Sequence, residues 1–215
     1  MPARILTIAQ QKGGAGKTTL AAQLAVAWAR AGRRVGLLDI DPQGSLAAWF
    51  ALRRQSLGDE GGLAFVQAAG WRLGTELDRL RADRDLVLID SPPHAETEVR
   101  IAVRAADLIL VPVQPSPMDL WATAPTLEIA RREKSPALVL LNRAPARGKL
   151  VERIRAELVA QGVTLAETAL GNRIAFAGAM LEGRGVSETE PRGTAAAEIA
   201  ALAAELAARL GLSES

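Results

Sequence analysis

The chain has no cysteine, no tyrosine and a single histidine in 215 residues. Without cysteine there is no disulfide framework, no thiolate zinc site and no iron–sulfur cluster, and a reducing cytoplasm suits such a chain. Without tyrosine there is no tyrosine tail to phosphorylate. Net charge is also scarce: 26 Lys and Arg stand against 24 Asp and Glu, for +2 overall. That excludes a polybasic chain and leaves room only for a local basic patch. No apolar run approaches the roughly 20 residues of a membrane helix. The start has no signal-peptide layout, and no internal repeat, linker or low-complexity tract is visible.

What is present points to one globular unit. Apolar residues make up 49% of the chain, and the length suits a single α/β domain spanning 1–215. Strand-like and helix-like patterns alternate regularly. This predicts an α/β fold with a doubly wound, mostly parallel sheet and helices on both faces.

The most informative stretch is Gln11-Lys12-Gly13-Gly14-Ala15-Gly16-Lys17-Thr18-Thr19. It follows the apolar run Ile5–Ala9 and opens into an alanine-rich helical pattern, expected from about Thr18 to Ala31 before Gly32. Strand, glycine loop and helix together make a phosphate site. Glycines without a Cβ let successive backbone N–H groups turn toward an anion, and the helix dipole points the same way. Lys17 would reach the β- and γ-phosphates of a nucleotide, and the Thr18 hydroxyl would ligate Mg²⁺. Gly13, Gly14, Ala15, Gly16, Lys17, Thr18 and Thr19 are the candidate nucleotide-binding residues of this stretch.

Carboxylates recur at the ends of later strands. Val35–Asp39 leads to Asp41-Pro42-Gln43-Gly44, and open α/β sheets bind ligands at that strand edge. Taken alone, Asp41 reads equally well as the start of a turn before proline. Asp85–Asp90 is a strand ending in an acid that could hold Mg²⁺ directly or through water, or cap the next helix. A strand at Leu108–Val113 runs into Gln114-Pro115-Ser116-Pro117, expected as a rigid loop. The helix after it should begin near Asp119 and start late or kink at Pro125. Asn142 closes the strand Ala137–Asn142, where it reads as a turn residue. Beyond it come Arg143, Arg147, Lys149, Arg153 and Arg155, with Leu150, Ile154, Leu158 and Val159 as the apolar stripe of a helix. His94, in a proline-rich stretch, receives no role.

The K-G-G-x-G-K-T-T loop resembles, residue for residue, the deviant P-loop of ParA/MinD ATPases. The D-x-D-P-Q segment and the acid-ending strand resemble that family's next two motifs, and the likeness extends over almost the whole chain. It implies an ATP- and Mg²⁺-dependent ATPase that forms a sandwich homodimer with ATP. Lys12 would then reach the partner subunit's nucleotide. Asp41 would contact the attacking water, or the metal through water. Asp90 would hold the metal through water, and Asn142 would read adenine. Lys12, Lys17 and Asp41 are the implied catalytic set. The proline loop would lie near the dimer seam, making Met118, Leu120 and Trp121 contacts there. The segment Gly171-Asn172-Arg173 resembles a late region of ParA proteins in which an arginine touches DNA. Arg173, or else Arg147, Lys149 and Arg153, would bind DNA without sequence preference.

The implied use is partition of a plasmid or chromosome region over the nucleoid, with a cargo-bound activator of the ParB type. The chain would be a short form with no helix-turn-helix domain before its first strand. The alternative is a positioner of protein assemblies such as chemoreceptor clusters or microcompartments. A MinD-like membrane regulator wants a basic amphipathic helix at the end of the chain. The last helix, about Thr194 to Leu210, has Arg209 as its only basic residue and is expected to pack on the domain.

Overall fold

The computed structural model describes residues 2–93, 96–145 and 148–212. His94 and Arg147 therefore lie outside the described residues. Six strands, β1 (Arg4–Ile8), β2 (Val35–Asp39), β3 (Leu63–Gln67), β4 (Leu86–Asp90), β5 (Leu108–Val113) and β6 (Ala137–Leu141), form one sheet. Its order is β3-β2-β4-β1-β5-β6, and every pairing is parallel. β2, β4 and β5 are buried along their whole length. Continuous runs such as Leu86-Val87-Leu88-Ile89 suit a parallel sheet covered on both faces.

The chain leaves β1 for β2 and β3 on one side, returns as β4 beside β1, then crosses to β5 and β6. The winding therefore reverses at β1, the position where doubly wound sheets open a ligand crevice. Parallel register carries Ile8 to Asp90 and Asp39 to Asp90. The two acids thus end neighbouring strands at the mouth of that crevice.

One face is covered by α1 (Lys17–Arg30), α2 (Ser45–Leu57), α7 (Ile174–Leu181) and α9 (Thr194–Arg209). Their core joins Leu20, Leu24 and Trp28 to Ile199, Leu202 and Leu206. The other face is covered by α3 (Leu73–Arg81), α4 (Glu96–Ala105), α5 (Pro117–Glu133) and α6 (Lys149–Ala160). α1 is buried over most of its surface because alanines let it press against both the sheet and α9.

α2 is tied to the short helix α8 (Val186–Thr189) by a buried charge. Arg53, 1% exposed, donates to both Glu188 oxygens at 2.9 Å and to the Gly61 and Gly183 carbonyls. Removing one partner would strand the other, a loss of about 3–5 kcal/mol.

Two local expectations give way. α5 begins at Pro117, not near Asp119, and runs through Pro125. Ser116 is its N-cap, accepting the Asp119 N–H at 3.1 Å, and proline is well tolerated at the first helical position. On α6 only Ile154 and Leu158 of the expected stripe are buried, while Leu150 and Val159 face outward.

Candidate functional site

The loop after β1 turns on glycines. Gly14 and Gly16 have φ of 75° and 93°. At Gly16 a Cβ would also stand 2.6 Å from the Asn142 amide nitrogen, so a larger residue is excluded there on two counts. Gly16 caps α1 without a side chain, which leaves the first-turn N–H groups to a ligand. The loop opens into a cleft of about 690 Å³ shared with Asp41, Gln43, Trp49, Pro93 and Met180.

Lys17, Thr18 and Asp90 form a compact cluster at its floor. The Thr18 hydroxyl donates to Asp90 Oδ2 at 2.7 Å. Asp90 Oδ1 is buried with no partner among the described residues. Burial pushes the Asp90 carboxyl up to about 7; the Thr18 hydroxyl opposes this and the nearby Asp39 carboxylate adds to it. Burial likewise lowers the Lys17 ammonium, against the pull of Asp90 and Asp41. An orphaned carboxylate oxygen next to a threonine hydroxyl fits a hard divalent cation. No group of three His, Asp or Glu among the described residues could enclose a metal unaided. Phosphate oxygens and water would have to complete the shell.

Asp39 and Asp41 divide the work of their loop. Asp39 is fully buried and accepts the Asp41 N–H at 2.9 Å and the Ala47 N–H at 3.2 Å. It thereby fixes the loop to the start of α2, and burial raises its pKa. Asp41 accepts the Gln43 N–H at 2.9 Å, a turn contact, and also lines the cleft beside Lys17 and Thr18. Turn former and cleft residue are the same side chain.

Across the loop the charges are met within the chain. Lys12 Nζ lies 2.6 Å from Asp119 Oδ2 at the start of α5, and the Ser116 hydroxyl also bonds that carboxylate. The Asn142 amide donates to the Ala15 carbonyl at 2.8 Å and accepts the Arg143 N–H at 3.0 Å, so it braces the loop. Arg143, with φ of 53°, reaches back to the Gly14 carbonyl at 3.3 Å. Arg173 forms a two-pronged pair with Glu198 at 2.9 and 2.5 Å. Met118 and Trp121 are exposed on the first turns of α5, while Leu120 is half-buried against its core.

The structure thus gathers residues 12–19, Asp41, Asp90 and Asn142 at one place. It sets the basic candidates apart: Arg173 stands beside the α1 layer, whereas Lys149 and Arg153 lie exposed on α6 in the opposite layer. Sequence reasoning missed Asp119, Glu198 and the bracing role of Arg143. Only Asp119 had a local signal, the Ser116-Pro117-x-Asp119 pattern of a helix start.

Fold and site together define a P-loop nucleotide-binding domain. Residues 6–208 match the family model described as the CobQ/CobB/MinD/ParA nucleotide binding domain, and the chain belongs to that family. It is 30% identical over 199 residues to the maintenance of carboxysome distribution protein A of Halothiobacillus neapolitanus, covering 90% of this chain and 91% of the relative. It is also 30% identical over 240 residues to the chromosome-partitioning ATPase Soj of Thermus thermophilus, covering 96% of each. Among solved structures, an ATP complex of Cyanothece McdA superposes with a TM-score of 0.79 at 19% identity, covering 99% of this chain and 98% of that one. That last likeness supports the fold.

Proposed function

We propose that the chain is an Mg²⁺-dependent ATPase that positions a protein assembly in the cell and works as an ATP-bound homodimer. The observation that carries the ATPase reading is the Lys17–Thr18–Asp90 cluster, with its orphaned Asp90 oxygen under the phosphate loop. Lys17 and the loop N–H groups hold the β- and γ-phosphates, and Asp41 orients the attacking water. Thr18, and Asp90 through water, would hold Mg²⁺, which would supply neutralisation of phosphate charge. In the dimer, Lys12 leaves Asp119 for the partner subunit's nucleotide. Phosphate release assays with and without MgCl₂ test the reaction, and light scattering with ATP or ADP tests the dimer. No Mg²⁺-dependent turnover would overturn the reading.

The protein-assembly cargo rests on the carboxysome-distribution relatives, which favour the alternative weighed on sequence over plasmid or chromosome partition. The Asp41→Ala variant, expected to persist as an ATP dimer, should co-purify a component of the assembly.

The partition reading keeps support from the Soj relative. It requires the ATP dimer to bind DNA without sequence preference and to associate with the nucleoid, aided by a cargo-bound activator. Its test is filter binding across a salt series, with ATP and with ADP. Losing one phosphate contact per subunit should lower the salt slope by about two in the dimer. Lys149→Ala and Arg153→Ala are the first variants to try, since Arg173 must first leave Glu198. Binding that ignores the nucleotide removes this reading.

A further inference from the structure

A second cavity, of about 310 Å³, lies beside the first turns of α1. Gln23, on its wall, carries a buried donor with no partner among the described residues. Gly16, Thr19, Leu20 and Gln23 line it from successive turns of α1, and Leu170 and Phe176 line it from other elements. Gln23 is 1% exposed, and its Oε1 accepts the Val186 backbone N–H at 2.7 Å. A backbone N–H can only donate, so this bond fixes which way the amide faces. The nitrogen, Nε2, is therefore the other end. It is buried and has no acceptor among the described residues.

Native proteins pair almost every buried donor, with protein, water or ligand. Thr19 and Asn172 also line the cavity, but neither is buried as Gln23 is, so water can serve them. Asn142 is bonded at both ends of its amide, and Arg173 is held by Glu198. Gln23 is left with a bond to offer.

Its place in the fold decides the kind of ligand. Gly16 and Thr19 belong to the phosphate loop and also line this cavity. A nucleotide with its phosphates over the start of α1 therefore has its base within reach of the cavity. This step rests on the nucleotide reading above. Mostly apolar walls suit a flat heterocycle, and a few placed polar groups then set its identity. A buried donor without a partner calls for an acceptor, and a purine offers one in an unprotonated ring nitrogen. We propose that Gln23 is a specificity-determining residue that donates from Nε2 to a ring nitrogen of the bound purine. Its Oε1 meanwhile stays on Val186, which keeps the amide aimed.

The test replaces single atoms of the ligand. Calorimetry on the full chain compares Mg-ATP with three analogues in which N1, N3 or N7 of the purine is replaced by C–H. Inorganic tripolyphosphate serves as a probe of the phosphate loop alone. One analogue should bind wild type about tenfold more weakly than ATP, the size of one lost hydrogen bond. In Gln23→Met, ATP and that analogue should bind equally, while tripolyphosphate binds as it does to wild type. A purely structural glutamine would not produce this change in preference. The proposal is overturned if wild type binds all three analogues as tightly as ATP. It is also overturned if the same analogue penalty survives in Gln23→Met. Should Gln23→Met fail to fold, Gln23→Leu takes its place in the same series. A wild type that binds neither ATP nor tripolyphosphate would instead remove the nucleotide reading, and this inference with it.

Discussion

The two flanks of the phosphate loop handle charge in opposite ways. On the β2–β4 flank, Asp39, Asp90 and Lys17 are buried close together. Both acids sit above their ordinary pKa and the lysine below its own. One carboxylate oxygen of Asp90 has no partner among the described residues. On the β5–β6 flank, Lys12 meets Asp119, Arg143 meets the Gly14 carbonyl and Arg173 meets Glu198. The first flank is electrostatically incomplete and gains from a cation and a polyphosphate. On the second flank Lys12 and Arg173 are already paired with carboxylates, so either can engage a ligand or partner only by giving up a bond it already has. Substitutions on the first flank should therefore act mainly on chemistry, and those on the second on assembly, where releasing a held charge has a small effect in its favour.

The largest expected effect follows from Asp90. Its folded pKa is about 7 against an ordinary value of 3.8. Between those values the folded chain binds more protons than the unfolded one. The contribution of this group is thus fully present below about pH 4 and is lost as pH rises through about 7. The full span is worth at most on the order of 4 kcal/mol. Asp90→Asn should remove this slope. Urea unfolding in EDTA, without nucleotide, should show the difference between wild type and variant shifting in the variant's favour from pH 5 to pH 8. A difference that does not change with pH would mean the Asp90 carboxyl ionises as it does in water. The two flanks would then not differ as described.

Next in size is Asp41. Loss of an oriented catalytic contact costs on the order of 3 kcal/mol in the barrier, about a hundredfold in turnover. Asp41→Ala should therefore hydrolyse ATP about a hundred times more slowly while still binding it, as stopped-flow binding and phosphate release would measure. Its turn bond to the Gln43 N–H is worth far less, about 1 kcal/mol. The folded state should survive. Unchanged turnover would leave Asp41 with its turn role alone.

The same contrast explains what could be read from the chain. The acidic flank was legible because each part is local: a contiguous glycine loop, and acids at the ends of apolar strands that parallel register brings together. The other flank is built from distant pairs. Lys12 and Asp119 lie 107 residues apart, Asn142 and Ala15 127, and Gln23 and Val186 163. No periodicity encodes such contacts; they exist only once α5, α7 and α8 have packed. Asn142 was singled out by the family resemblance, as a reader of adenine; that its amide grips the Ala15 carbonyl is visible only in the folded chain. On α6, Leu150 and Val159 fit the helical stripe in sequence, but the helix offers only a narrow seam to its neighbours.

The smallest effect should come from loosening the second flank at Lys12. Asp119 is almost fully buried, while Lys12 remains about one-third exposed. A partly exposed pair of this kind is worth about 1 kcal/mol. If Lys12 serves a second subunit, it must first leave Asp119, and that bond opposes dimerisation once per subunit. Asp119→Asn keeps the shape at the start of α5, where the Ser116 hydroxyl can still bond the side chain, but removes the charge that holds Lys12. The variant should dimerise with ATP at a protein concentration lower than wild type by a factor of about five for each subunit's released lysine. Lys12→Ala should bind ADP as wild type does, since Lys17 and the loop N–H groups remain, yet fail to dimerise. Light scattering over a dilution series reads both. If Asp119→Asn and wild type assemble at the same concentration, the Lys12–Asp119 pair does not restrain assembly. If Lys12→Ala also dimerises normally, Lys12 has no part across the seam, and the second flank is a scaffold alone.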